Sequence, residues 1–254
     1  MLKPVRRPAA DWILPPIVAH RGASRVAPEN TLAAIARAAD DGARAVELDV
    51  ALSADGVPVI LHDETLNRTT NGKGSVARRT LAELGRLDAG AWFGARYAGE
   101  PLPTLAGAVA LILERRMALN LEIKPPRGLA EATAERAVEV LKAGWPKSAP
   151  LVLSSGSMAS LAVARDLAPH WPRGLILDRV PPDWAARLAS LGCVSLHCNA
   201  KSVTPSLVAE VHHAGYRLLA WTVNRLPTAR RLFRSGVDGI FTDDPAKMIA
   251  AFGP

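Results

Sequence analysis

Ala45-Val46-Glu47-Leu48-Asp49-Val50 is the stretch from which the fold is read. Val46, Leu48 and Val50 alternate with two acids, so a strand here has one apolar face and one face carrying both carboxylates. If the apolar face packs on helices, the acidic face points into a barrel interior. Two unpaired carboxylates are costly there unless something positive sits between them.

Leu119-Asn-Leu-Glu-Ile123 repeats the pattern, with Glu122 and then Lys124 at its end. Further short β-rich runs lie at Ile17–Arg21, Leu151–Ser154, Gly174–Leu177, Cys193–His197, Arg217–Val223 and Gly239–Thr242, which makes eight. Amphipathic helical stretches fall between them at 31–40, 129–143, 157–167, 184–191, 206–214 and 226–234. Strands alternating with helices indicate parallel βαβ units. The first turn, His20-Arg-Gly-Ala-Ser-Arg25, lacks the glycine pattern of a dinucleotide-binding open sheet. Polar residues gather instead at strand ends: His20, Arg21, Glu47, Asp49, Glu122, Lys124, His197 and Asp243. In a chain of 254 residues this predicts one (β/α)8 TIM barrel over residues 1–254, with its chemistry on the C-terminal rim.

The spacing between Ala45 and Leu119 is too long for one unit. Asp55-Gly56 between two apolar runs predicts a hairpin with a two-residue turn, in a register that sets Asp49 opposite His62. Residues 63–103, rich in Gly, Arg and Thr, read as a small inserted subdomain.

Hydrophobic residues make up 49% of the chain and charged ones 22%, which excludes a disordered protein. The net charge of +7 fits an anionic partner as a class. Lys3, Arg6 and Arg7 precede an apolar stretch that Asp11, Pro15 and Pro16 interrupt, so no signal-peptide core is expected. No window is apolar enough to span a membrane, and a cytoplasmic protein without stable membrane association is expected. Cys193 and Cys198 read as opposite faces of one strand, unsuited to a disulfide.

Glu47, Asp49 and Glu122 can converge in two ways. They pair with Arg21 and Lys124 in a buried ion network, or they hold a hard divalent cation, the reading we favour. Oxygen-only ligands suit Mg²⁺, with Ca²⁺ or Mn²⁺ as alternatives, over zinc. His20 and His62 flank the acids and suit proton transfer to and from oxygen, while Arg21 and Lys124 are donors for phosphate. Together they describe phosphoryl chemistry.

These residues, with Pro28-Glu-Asn-Thr31, Ser53-Ala-Asp-Gly56, Leu61-His-Asp63, Leu66-Asn-Arg-Thr-Thr-Asn-Gly72, Leu87-Asp-Ala-Gly90, Leu121-Glu-Ile-Lys-Pro125 and Phe241-Thr-Asp243, resemble the glycerophosphodiester phosphodiesterase family, compact bacterial cytoplasmic members above all. The resemblance implies a barrel with a small insert and a metal on Glu47, Asp49 and Glu122. It also implies acid–base roles for His20 and His62, phosphate contacts from Arg21 and Lys124, and a substrate pocket lined by His197 and Trp221. The implied reaction splits a glycerophosphodiester into glycerol 3-phosphate and an alcohol. Asn30 or Glu29 is read as the cap of the following helix. Trp92, Phe93 and Tyr97 read equally as the insert's own small core or as the apolar rim that a phospholipase-type enzyme needs. Two rivals are a barrel phosphodiesterase of the phospholipase type and a basic nucleic-acid binder with a relic site. The arginine pairs at 78–79, 115–116 and 230–231 read as solvated helix faces rather than a nucleic-acid surface.

Overall fold

The computed structural model describes residues 14–254; Lys3, Arg6, Arg7 and Asp11, read above for a leader, lie outside them. Strand β2 (Ala45–Leu52) is buried at every residue. Its parallel partners are β1 (Ile17–His20) on one side and β4 (Ala118–Ile123) on the other. From β4 the ladder runs through β5 (Leu151–Ser155), β6 (Arg173–Leu177), β7 (Ser195–Asn199), β8 (Arg217–Trp221) and β9 (Gly239–Thr242), which pairs back to β1. Eight parallel strands thus close into the expected barrel. The ninth strand, β3 (Pro58–Ile60), lies outside this ring as the antiparallel partner of β2.

The outer layer comprises α1 (Leu32–Asp40), α3 (Leu105–Glu114), α4 (Ala130–Gly144), α5 (Met158–Leu167), α6 (Trp184–Leu191), α7 (Pro205–His213), α8 (Leu226–Arg234) and α9 (Pro245–Phe252), while the short α2 (Leu81–Leu84) belongs to the insert. Val46, Leu48 and Val50 pack with Ile35 of α1, Ile112 of α3 and Leu141 of α4. Full burial of each such side chain contributes about 1.5–3 kcal/mol. Within the barrel, Val18, Ala45, Ala118, Val152, Leu219 and Phe241 pack together and close the interior below the polar residues. Helix α3 escaped the periodicity reading because Leu105 to Leu113 is apolar or small at every position, leaving no polar face to mark a period. Strand β7 begins two residues later than expected, so Cys193 precedes it. Both cysteines are free and buried in one apolar cluster, where burial pushes each thiol up to about 12.

The hairpin register differs from expectation by one residue. The pairs are Val50 with Ile60, Ala51 with Val59 and Leu52 with Pro58. Ser53 N donates to Val57 O, so the loop is the three residues Ala54, Asp55 and Gly56, with Gly56 left-handed at φ 76. Asp55 is drawn off by other partners: it accepts from Ser53 Oγ and from Leu81 N at the start of α2. Asp49 therefore faces Leu61, whose amide donates to its carbonyl, and His62 reaches the site only because the chain leaves strand geometry after Ile60.

Within residues 63–103, Leu66, Val76, Leu84, Ala89 and Leu102 pack against Ala51, Val59 and Leu61 of the hairpin. The insert's apolar core is therefore shared with the barrel's own strands. Trp92, Phe93 and Tyr97 are not in it, which removes the reading of them as its core. They form an edge-to-face chain, and Tyr97 Oη and Arg96 both donate to the Val26 carbonyl, seating the insert on the loop after β1. Glu100 does the same from the other end, accepting from Ala33 N in the first turn of α1. No helix among the described residues is long and apolar enough to cross a membrane.

Candidate active site

Register alone brings the acids together. His20, Glu47 and Asn120 stand side by side across β1, β2 and β4, and Asp49 and Glu122 are partners one step further toward the strand ends. Ligand oxygens of Glu47, Asp49 and Glu122 all lie within 4.8 Å of one another. Burial, then Asp49 and Glu122, drive the Glu47 carboxyl well above its usual range. Burial and Asp49 push Glu122 up to about 7, against Lys124. Asp49 behaves oppositely: burial opposes its charge, but Arg21, Lys124 and His62 outweigh it and hold the carboxyl below its usual value.

The loop after β1 supplies the first cation. Arg21 is left-handed at φ 57 and is followed by Gly22 at φ 84, a turn that points the Arg21 amide at Glu47 Oε2, 3.0 Å away. Its guanidinium donates through Nη1 to Glu29 at 2.8 Å, and Nε lies 3.2 Å from Asp49. Lys124 Nζ sits 3.2 Å from Glu122 and 3.5 Å from Asp49. These two side chains form the ion network anticipated as the metal-free alternative, but it is incomplete. Neither pairs with Glu47, whose Oε1 is buried without a hydrogen-bond partner among the described residues. An oxygen-only cluster with one orphaned carboxylate oxygen at its centre fits a hard divalent cation.

The histidines flank this cluster. His20 Nδ1 lies 2.7 Å from Asp243 Oδ1, and His62 Nδ1 lies 2.6 Å from Asp63 Oδ1. Hydrogen bonds from His20, Asn224 and Ser24 outweigh burial and hold Asp243 at about 2. Hydrogen bonds from Arg68 and His62 hold Asp63 far below the usual range. Ionised carboxylates only accept, so each imidazole carries its proton on Nδ1 and keeps Nε2 for the pocket. Burial, the largest influence, lowers His62 below its ordinary value.

A cavity of about 150 Å³ is lined by both histidines, Arg21, Lys124, Glu47 and Glu122, together with Asn120, His197 and Trp221. The structure therefore gathers every residue proposed from the sequence around one space, Asp49 lying behind its partners. His197 is fully buried, with Nε2 2.9 Å from Ser195 Oγ. His197 Nδ1, Trp221 Nε1 and Asn120 Oδ1 are all buried without a hydrogen-bond partner among the described residues, which leaves three polar atoms of the lining residues open.

Several site residues were missed. Asp243 stands in the sequence reading only among the polar strand ends and Asp63 only beside His62, and neither is assigned there to orient a histidine. Asn30 and Glu29 were expected to cap α1, but Thr31 does so, accepting from Ala34 N. Asn30 instead brackets Asp49, donating from Nδ2 to Oδ2 and accepting from the Asp49 amide at Oδ1, while Glu29 receives Arg21. The signal was present in the conformations that Pro28 and two left-handed positions impose, but Glu-Asn-Thr before a helix reads more simply as a cap.

Residues 20–247 match the family model described as the glycerophosphoryl diester phosphodiesterase family. The chain belongs to this family of enzymes. A glycerophosphodiester phosphodiesterase of Caldanaerobacter subterraneus subsp. tengcongensis is 40% identical over 92% of this chain and 96% of its own. A phosphodiesterase of Oleispira antarctica, solved in complex with the product sn-glycerol-3-phosphate, is 44% identical and superposes with a TM-score of 0.93 over 95% of this chain and 98% of its own. The glycerophosphodiester phosphodiesterase of Agrobacterium tumefaciens follows at 30% identity and a TM-score of 0.81, over 93% of this chain and 100% of its own.

Proposed function

We propose that the chain hydrolyses glycerophosphodiesters, such as glycerophosphocholine or glycerophosphoethanolamine, to sn-glycerol 3-phosphate and the free alcohol. The observation that carries the reading is the pair of His–Asp contacts facing one carboxylate cluster across a small cavity. The product held by the Oleispira antarctica relative supports the choice of substrate. A divalent cation on Glu47, Asp49 and Glu122, Mg²⁺ in this reading and Mn²⁺ or Ca²⁺ otherwise, offsets phosphate charge when bound.

The protein's own groups do the rest. Arg21 Nη1 is committed to Glu29 and Nε lies in an ion pair 3.2 Å from Asp49, which leaves Nη2 as the donor for phosphate. Lys124 adds a point charge. His62, whose charged form burial disfavours, accepts at Nε2 the proton of the attacking water. As the new P–O bond forms and the bond to the alcohol breaks, His20 acts in its doubly protonated form: it gives the Nε2 proton to the departing oxygen and keeps its Nδ1 proton on Asp243. His197, Trp221 and Asn120 hold the glycerol end. The small cavity suits a polar head rather than acyl chains, and one arginine of each pair is locally engaged: Arg79 with Glu83, Arg115 with Asp40, Arg231 with the carbonyls of Val203 and Ala200. A cytoplasmic enzyme of lipid headgroup turnover follows as the setting.

The test is coupled detection of glycerol 3-phosphate from several glycerophosphodiesters, with phosphatidylcholine vesicles as the comparison. Chelator should stop the reaction and Mg²⁺, Mn²⁺ or Ca²⁺ should restore it. No product with any metal would overturn the reading.

A further inference from the structure

Arg68, in the inserted segment, lies outside the catalytic pocket yet touches both halves of the site. Its guanidinium grips two carboxylates, each with two hydrogen bonds. Nε and Nη2 donate to Asp63 at 2.8 and 2.9 Å, while Nη1 and Nη2 donate to Glu29 at 2.7 and 2.8 Å. Asp63 is the acceptor for His62 Nδ1, and Glu29 is the acceptor for Arg21 Nη1. One planar group therefore joins the hydrogen-bond chain Arg21, Glu29, Arg68, Asp63, His62. From the proposed hydrolase reading, on which this rests, we infer that Arg68 is a positioning residue that fixes the phosphate-binding arginine and the proton-accepting histidine relative to each other.

The geometry suits arginine alone. A planar fork satisfies two carboxylates bidentately, whereas a lysine ammonium is a single point of charge. Both carboxylates stay ionised, Asp63 by the Arg68 bonds first and Glu29 by Arg68 and Arg21 against burial. Without the guanidinium, Asp63 and Glu29 lose their common partner, and His62 and Arg21 each gain freedom at the reacting end. Misplacement of this kind costs on the order of 100-fold in rate.

The experiment compares wild type with Arg68→Ala, Arg68→Lys and a control in the same insert, Arg79→Ala, whose side chain pairs with Glu83. Two readouts are taken: turnover of glycerophosphocholine, and the titration of His62 by NMR. The charged groups facing His62 are Asp49, Arg21, Asp63 and Lys124. Expected for Arg68→Ala is a fall in kcat of about 100-fold with a smaller change in KM, an upward shift of the His62 titration, and an unchanged melting temperature. Millimolar guanidinium should return part of the lost rate, Arg68→Lys should remain impaired, and Arg79→Ala should match wild type. Wild-type kcat and an unmoved His62 titration in Arg68→Ala would overturn the inference. So would a loss that tracks unfolding and that guanidinium does not restore. If wild type itself gave no glycerol 3-phosphate, the hydrolase reading would fall, and the His62 titration would still decide the role of Arg68.

Discussion

Asp243 holds His20 by its Nδ1 at 2.7 Å and is itself held by Ser24 Oγ at 3.0 Å and by Asn224 Nδ2. The backbone ties the same groups together, since Arg25 N donates to the Asp243 carbonyl and the Asp243 amide donates to Asn224 Oδ1. β9 thereby sets the tautomer of a histidine that closes β1. On the other side of the cavity Asp63 does the same for His62 within two residues of chain.

Asp243→Asn is expected to keep the fold and lose rate. An amide can donate as well as accept, so Nδ1 of His20 is no longer held protonated and Nε2 is misassigned for proton transfer. kcat should fall by roughly 100- to 10,000-fold, the range of general acid–base assistance, with circular dichroism unchanged. Equal turnover in the variant would show that His20 needs no orienting acid.

Cation binding should be visible without any substrate. Glu47, Asp49 and Glu122 repel one another in a buried space, and among the described residues no side-chain cation pairs with Glu47. Mg²⁺ or Mn²⁺ should raise the melting temperature of the wild type, by linkage of binding to folding. Glu47→Gln removes a carboxyl whose charged form burial, Asp49 and Glu122 disfavour, so the metal-free variant should melt no lower than the metal-free wild type and respond weakly to added metal. Calorimetry at matched ionic strength separates specific binding from screening; an identical metal response in both proteins would count against the cluster as the cation site.

How the acids meet could be read from alternation, because Glu47, Asp49 and Glu122 occupy one face of adjacent strands and strand geometry leaves them nowhere else to point. The barrel was legible for the same reason, through apolar runs recurring at even spacing. Contacts made outside regular strands were not. The turn at Asp55 looked like a two-residue hairpin because its demand from Leu81 N, remote in sequence, was invisible. Glu29, Asn30 and Arg68 act through long-range hydrogen bonds from loops, where no periodicity fixes direction. Their residue types were in view; their partners were not.

Gly22 follows Arg21 with φ +84, and a Cβ there would meet the Ala34 backbone carbonyl carbon at 2.6 Å. Gly22→Ala must therefore displace either α1 or the turn that aims the Arg21 amide at Glu47. It should destabilise by more than about 1 kcal/mol and reduce turnover as well. Gly42→Ala is the control, with φ +87 but nothing within 4 Å of the added carbon. Chemical denaturation of both separates backbone strain from collision: equal losses in the two variants would remove the steric argument.

His197 gives a stability signature distinct from its place in the pocket. Complete burial pushes it down to about 3 from the ordinary 6.5, so the folded protein keeps it neutral where the unfolded chain protonates it. Above pH 6.5 both states are neutral and the group adds no pH dependence. Between 6.5 and about 3 the unfolded state binds the extra proton, so folding stability falls as pH falls, by at most about 1.4 kcal/mol per pH unit. Below about 3 both states are protonated and the slope ends. His197→Gln removes the titration while leaving a polar side chain near Ser195, and its urea-denaturation free energy should decline less steeply than wild type from pH 6.5 to 4. The difference in slope isolates this histidine from the exposed ones, which contribute equally to both proteins; parallel declines would mean that His197 is accessible to protons in the folded state.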